Sequence, residues 1–582
     1  MADEEGIMGI DKTVLEQNAQ KLRLIKNGIL CFLDFLKEEK ARGTLGVNLR
    51  GLRHGKIVED MSWSELLEER ACQVPDKRFL LYRDEVFTYA DMDNNANRVA
   101  NFLMSLGCGK KKGIGIFMRN SPRFLDIFFG AQKIGMYVVP INTALKGESL
   151  KYIINHSDIE YLAMDAELID NFNTVSDKTE KIRHIIVDDI EQEAKDYKIP
   201  SNINVLSDAY TPGVPATNPG IGYDKDDMYL IIYTSGTTGM PKGVVYRYRL
   251  TGIKMMLLIS GITLKQDDIL YTPLPLIHAN ALFLTVAPAM AVRASVALSR
   301  KFSASRFWDE VRTYNATVFN ALGSMIPILM KQPEKPTDSQ NNVRYVLSAA
   351  CPKEMWEAFE RRFGLKIYEG YGAVDGAGKG LMNLGTCPAG SIGRYSKRLG
   401  MRIVDENGHD VPTDTPGELI FRIDDPSMKV EYYKDEKSTN EKVRGGWLYT
   451  GDLVRKDERG YIYFVGRNTE SMRIGGENVS AYEVEHVIMK HPAVEDVAVY
   501  AVPSELAEDE IMASVKLVDG RELNPKDLID FLKDKLAKFA IPRYVRIVNE
   551  FPMTSTHRII KKELEKIGVT EDTFDAKSAP RQ

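Results

Sequence analysis

Residues 230 to 243 read Leu-Ile-Ile-Tyr-Thr-Ser-Gly-Thr-Thr-Gly-Met-Pro-Lys-Gly, and the rest of the chain reads as their support. Residues 230–233 form a short apolar run with the β-branched and aromatic bias of a buried strand. Thr234, Ser235, Gly236, Thr237, Thr238 and Gly239 follow at once, then Lys242. Glycines let consecutive N–H groups face one point, four hydroxyls add donors, and one lysine brings a mobile positive charge. Such a loop is built to cradle a polyphosphate. It is not a Walker A loop, which ends in Gly-Lys-Ser/Thr and opens a helix; here Pro241 precedes Lys242 and Gly243 follows it.

At 582 residues the chain is too long for one core and implies two or more domains. Apolar residues make up 44% and charged residues 27%, the balance of an ordinary globular protein. A net charge of -5 gives no electrostatic case for nucleic acid as a partner. Cys31, Cys72, Cys108, Cys351 and Cys387 are scattered, with no metal-ligand spacing, so reduced thiols and a cytoplasmic setting are expected. Residues 2–5 are acidic and give no signal-peptide pattern. Leu15, Leu22, Ile25, Ile29, Leu33 and Leu36 recur at helical spacing ahead of a basic stretch. Residues 1–60 therefore read as a helical extension, either packed on its own domain or in peripheral contact with a membrane surface.

From residue 62 to about 165 strands and helices alternate. A helix is predicted over 91–106, a strand over 113–118, a helix over 121–134 with Pro122 in its first turn, and a strand over 137–141. This rhythm implies a parallel sheet with helices on its faces, continued by residues 185–187 and the strand before the glycine loop. Residues 201–226, with Pro212, Pro215 and Pro219, read as an exposed connection. Two further units follow, around 270–278 and 316–351. From about residue 390 the composition turns to β-hairpins, and from 467 to a compact α+β piece with helices over 483–490 and 525–538. The expectation is an α/β protein: an N-terminal domain over 61–466, comprising parallel α/β subdomains and a small β-barrel-like one, then a small mobile α+β domain over 467–582.

Residues 234–243 closely resemble the signature loop of the adenylate-forming superfamily, which contains acyl-CoA synthetases, luciferases and peptide-synthetase adenylation domains. The resemblance implies that Thr234 to Gly239 and Lys242 hold the β- and γ-phosphates of ATP, with Thr238 beside Mg2+. Other segments match in order. Residues 348–351 and Tyr368-Glu-Gly-Tyr-Gly-Ala-Val-Asp375 correspond to the two family stretches that sandwich adenine, which implicates Ala349, Ala350, Tyr368, Gly370, Tyr371, Gly372 and Ala373. The family usually has Thr-Glu where Val374 and Asp375 stand: Asp375 keeps a carboxylate for magnesium, whereas Val374 removes an α-phosphate donor. Asp452, ending Tyr-Thr-Gly-Asp, and Arg467 match the residues that bind the ribose.

Gly475, Gly476 and Glu477 match the segment that shapes the CoA tunnel. Residues 552–562 align with the motif whose lysine bridges carboxylate and ATP, and Arg558 falls on that lysine. Arginine keeps the charge in a planar fork, so the exchange is not conservative; Lys561 or Lys562 are the alternatives. His278 and Gly323 are expected along the acyl group. The Gly-Glu-Asn-Val-Ser version of the hairpin most resembles very-long-chain acyl-CoA synthetases and their carnitine-CoA ligase relatives. The implied reaction is acid to acyl-AMP to acyl-CoA, with ATP, Mg2+ and CoA, on a long-chain or similar hydrophobic acid. A carnitine- or bile-acid-type acid, transfer to a carrier protein, and a nucleotide-binding protein with impaired turnover stay open, as do monomer and homodimer.

Overall fold

The computed structural model describes residues 61–578, apart from 200–202, 235–239, 249–259, 261–262, 323–324, 377–380, 424–429, 468–470, 476, 505–507 and 553–558. The expected extension over 1–60 lies outside the described residues. Helix α1 (Trp63–Gln73) starts at a reciprocal cap, Ser62 with Glu65, and α2 (Tyr89–Ser105) at another, Thr88 with Asp91. Between them strands β1 (Arg78–Tyr82) and β2 (Glu85–Thr88) form a hairpin. Helix α3 (Pro122–Lys133) begins with Ser121 as cap and proline at its first position, where a missing N–H costs nothing.

The first large sheet gathers β3 (Gly113–Phe117), β4 (Tyr137–Pro140), β5 (Ile159–Asp165), β6 (His184–Asp188), β7 (Asn204–Val205), β8 (Met228–Thr234) and β9 (Lys242–Arg247). Its order is β7-β6-β5-β3-β4-β8-β9, parallel except for the closing β8–β9 hairpin. The second holds β10 (Ile269–Thr272), β11 (Ser295–Leu298), β12 (Val318–Leu322), β13 (Tyr345–Ala349), β14 (Lys366–Gly370) and β15 (Met382–Asn383), in the order β15-β14-β13-β12-β10-β11-β1-β2. One apolar cluster joins α1, α2 and α3 to both sheets, with Trp63 packed on Phe128 and Phe283 at 5.4 Å each. Burying these helices between two sheets makes the core that the length demanded.

A six-stranded antiparallel sheet follows: β16 (Gly393–Arg394), β17 (Met401–Val404), β18 (Gly417–Arg422), β19 (Val443–Arg444), β20 (Trp447–Lys456) and β21 (Tyr461–Arg467). The C-terminal α+β domain has its own apolar core. It contains the hairpin β22 (Ser471–Ile474) and β23 (Glu477–Ser480), and the four-stranded sheet β24 (Val494–Pro503), β25 (Asp509–Leu517), β26 (Tyr544–Val548) and β27 (Phe574–Asp575). Among the described residues no helix is long and apolar enough to cross a membrane.

Two local expectations are corrected. The strands expected over 113–118 and 137–141 do share one parallel sheet, while the β1–β2 hairpin, which the rhythm does not announce, pairs into the second. The 201–226 connection is not wholly exposed. It gives β7 an edge position and a short helical turn (Leu206–Tyr210) that buries Leu206 and Ala209. The helix predicted over 525–538 stops at Lys533; Leu536 and Ala537 remain buried, so the apolar spacing runs on without helix.

Candidate active site

The glycine loop closes a β-hairpin in which Thr234 stands opposite Lys242. Ser235, Gly236, Thr237, Thr238 and Gly239 lie outside the described residues. Gly243 is required by packing: a Cβ there would meet Ile231 at 2.8 Å and the Tyr233 ring at 3.2 Å. Residues 431–433 run antiparallel beside β9, through Val245 N–H to the Glu431 carbonyl at 2.9 Å and Tyr433 N–H to the Gly243 carbonyl at 2.7 Å. That pairing brings Tyr432 beside β9, and Lys242 Nζ lies 5.4 Å from its ring centroid.

Tyr432 donates its hydroxyl to Asp375 Oδ2 at 2.7 Å, and Lys442 Nζ meets the same oxygen at 2.6 Å. Lys442 also donates to the Thr450 carbonyl at 3.2 Å. Burial, and then the Asp375 charge, push the Tyr432 phenol far above its ordinary range, so it stays a neutral donor. The Val374 side chain packs into the apolar clusters while its carbonyl accepts the Tyr246 hydroxyl at 2.5 Å.

Asp452, 3% exposed, accepts the Tyr371 hydroxyl at 2.6 Å, and its cross-strand neighbour on β21 is Arg467. Ala349 ends β13, and Ala350 follows with φ +69°, a left-handed conformation that costs a residue with a Cβ about 1 kcal/mol. Glu369 on β14, 2% exposed, offsets it. The N–H of Ala350 donates to Glu369 Oε1, and that of Cys351 reaches both carboxylate oxygens at 3.3 Å. Burial raises the Glu369 carboxyl to about 7, opposed by those N–H bonds. Gly370 ends β14, paired with Met382, and Gly372 and Ala373 follow it.

Tyr368 points from β14 into a different space. It stacks on Tyr345 at 4.5 Å and 22°, and both line a small pocket, part of it open to solvent. Leu264, Leu270, Leu284, Val318, Leu347 and Met382 make its wall mainly apolar. Ser260, Thr263 and Asn320 are polar exceptions; the Asn320 amide donates to Thr285 Oγ1 at 2.9 Å and Asn280 Oδ1 at 3.2 Å. Thr285 sits in a wide π-turn (Leu282–Val286), a helix irregularity that often marks functional sites. Gly323 lies outside the described residues.

His278 meets the C-terminal domain instead of lining that pocket: its Nε2 lies 2.9–3.0 Å from both carboxylate oxygens of Glu477. Burial lowers the His278 pKa, but the Glu477 charge and hydrogen bond together outweigh it and the net shift is upward; at Glu477 burial opposes, and His278 with Arg473 and Asn142 together turns the shift downward. Ser149 bonds Glu483 across the same junction. Gly475 opens the tight β22–β23 turn at φ +57°, with open space where a Cβ would stand. Gly476 and Arg558 lie outside the described residues. Lys561 is paired with Glu485 at 2.8 Å. The sequence reading passed over Glu369, Tyr432, Lys442, Tyr345 and Asn320; only Glu369, inside a quoted segment, carried a signal.

The family description "AMP-binding enzyme" matches residues 67–433, and "AMP-binding enzyme C-terminal domain" matches residues 483–558. Crotonobetaine/carnitine–CoA ligase of Salmonella typhi is 31% identical over 532 residues, 88% of this chain and 100% of the relative. Among solved structures, a double mutant of o-succinylbenzoate CoA synthetase from Bacillus subtilis has a TM-score of 0.71 at 21% identity, covering 86% of this chain and 98% of its own. A fatty acyl CoA synthetase of Mycobacterium tuberculosis has a TM-score of 0.61 at 25% identity, covering 87% and 98%.

Proposed function

The chain belongs to the AMP-binding enzyme family, and we propose that it makes acyl-AMP and then acyl-CoA in the cleft around residues 234–242, 371–375 and 450–452. It is an AMP-forming acyl-CoA synthetase, using ATP, Mg2+ and CoA. In the first half-reaction a carboxylate oxygen forms a bond to the α-phosphorus, and pyrophosphate leaves with the electron pair of the broken anhydride. In the second the CoA sulfur bonds the acyl carbon and AMP leaves. Positioning and charge stabilisation are what such chemistry asks of the protein.

Asp452 and Arg467 would hold the ribose, and Tyr371 with the strained 349–351 turn would flank the base. Lys242 and the glycine loop serve the β- and γ-phosphates. Mg2+ takes few protein ligands and fills its sphere with phosphate oxygens and water. Asp375 fits that demand as one hard oxygen donor, and among the described residues no group of three or more His, Cys, Asp or Glu could cage a metal. Bound there, the ion supplies charge neutralisation at the phosphates. Arg558 would contact carboxylate and phosphate in the first step. The contact of Glu477 with His278 supports a second arrangement, in which the Gly475–Gly476 turn faces the site for CoA and the C-terminal domain pivots about 467–470.

The observation that carries the acid class is the mainly apolar lining behind Tyr368, whose side chains suit a hydrophobic acyl group with its carboxylate toward the nucleotide. A second reading, a compact carnitine-type acid, is favoured by the Salmonella relative and by two tyrosine faces beside Asn320, since aromatic faces attract quaternary ammonium groups. Pyrophosphate release measured over octanoate, palmitate, carnitine and crotonobetaine separates them. The hydrophobic reading expects octanoate or palmitate to lead. Release with carnitine or crotonobetaine alone replaces it with the second.

A further inference from the structure

Lys442 closes the short helix of residues Glu436–Lys442 and lies between the two halves of the nucleotide cleft. On one side its ammonium meets Asp375, which leads through the Tyr432 hydroxyl to the ring under Lys242. On the other it holds the carbonyl of Thr450, two residues before the Asp452 carboxylate that fixes Tyr371. The charge thus stands between the groups assigned to the phosphates and those assigned to the ribose. An ammonium has three donors, and among the described residues two acceptors take it up. Its side chain is only 15% exposed, so little solvent screens it from an anion beside it. At residue 374 the side chain is apolar and offers no donor, and the Val374 carbonyl accepts the Tyr246 hydroxyl.

We propose that Lys442 is a further substrate-contacting residue, donating to the phosphate next to the ribose and stabilising its charge as the acid attacks phosphorus and pyrophosphate departs. Asp375 and Thr450 hold the ammonium in place. The proposal rests on reading this cleft as the ATP site of the ligase, and it supplies from a helix end the donor that Val374 lacks.

Calorimetric titration of the full-length protein with ATP, AMP and adenosine tests it, on the wild type, Lys442→Met and Lys442→Arg. The methionine variant is expected to bind ATP and AMP about ten- to a hundred-fold more weakly, with adenosine within about two-fold. The arginine variant should recover most of the AMP affinity. Lys442→Gln, uncharged but still able to bond Thr450, gives the same selective loss and replaces methionine if that variant does not fold. Wild-type AMP affinity in the uncharged variants, or equal loss of AMP and adenosine, overturns the proposal. These titrations contain no acid and no CoA. A failure of the ligase reading shows separately, as absence of acid-dependent pyrophosphate release by the wild type.

Discussion

Strand β14 carries two walls on one backbone. Tyr368 faces the apolar pocket and stacks on Tyr345; Glu369, one residue later, faces the other way and gathers the N–H groups of Ala350 and Cys351. Alternation along a strand makes such a division automatic. The chemistry on the two sides differs in kind. The nucleotide side is fixed by directional bonds among few groups: Tyr371 to Asp452, Tyr432 to Asp375, Glu369 to two amides. The acid side is fixed by shape, from apolar side chains on β10, β12, β13 and β15 and one buried amide, Asn320. Directional bonds tolerate few residue types, whereas volume can be filled many ways. On the proposed reading, one wall would bind an invariant cosubstrate, and the other could change its acid without disturbing it.

The largest test of this division is Asp452→Ala. Losing a buried charged acceptor should cost about 3 kcal/mol in ATP binding, ~100-fold in kcat/KM for ATP, with the ranking of acids unchanged. A changed acid ranking would break the separation. Glu369→Gln comes next. The folded pKa of about 7 lies above the ordinary 4.5, so the folded state holds its proton more tightly than the unfolded chain. The associated stability is present below about 4.5 and is lost as pH rises through about 7. Denaturant unfolding at pH 5 and pH 8 should reveal a drop on the order of 1–3 kcal/mol that the glutamine variant lacks. An equal drop in both proteins would assign the pH dependence elsewhere.

Tyr368→Leu should act on the other wall alone. Loss of the aromatic pair costs about 1 kcal/mol of stability, and rates shift ~10-fold between bulky and slender acids while KM for ATP holds within about two-fold. A raised KM for ATP would put Tyr368 on the nucleotide side. The smallest effect belongs to His278→Ala, a few-fold (~3-fold) slowing of thioester formation near neutral pH. With the His278 pKa raised by Glu477, their attraction is present below the ordinary histidine value and fades as pH rises through the raised one. The wild-type second step should therefore slow with rising pH over that window, and the alanine variant should not follow.

Much of the nucleotide wall was legible because its residues sit in compact, ordered motifs. Asp452 and Tyr371, read from separate stretches, meet at 2.6 Å. What the motifs could not announce were partners brought in from afar. Tyr432 reaches Asp375 only because residues 431–433 pair beside β9, and Lys442 belongs to a charged helix, Glu-Lys-Ser-Thr-Asn-Glu-Lys, that reads as a solvated face. The strand–helix rhythm gave strands of the first sheet such as β3, β4, β6 and β8, but not the β1–β2 hairpin, which pairs into the second sheet. His278 reads as an ending to an apolar run; its true partner lies 199 residues away, across the domain junction. The acid pocket was least legible, since its wall is assembled from at least five separated segments whose residues are individually ordinary core.

The central claim is that the two half-reactions use different faces of the C-terminal domain. ATP–pyrophosphate exchange in the presence of acid, and conversion of supplied acyl-AMP plus CoA to acyl-CoA, should be measured side by side on the wild type and on Arg558→Ala. The account predicts that the variant loses exchange by at least ~100-fold yet keeps thioester formation within a few-fold. Equal loss of both activities, or retention of both, would contradict it.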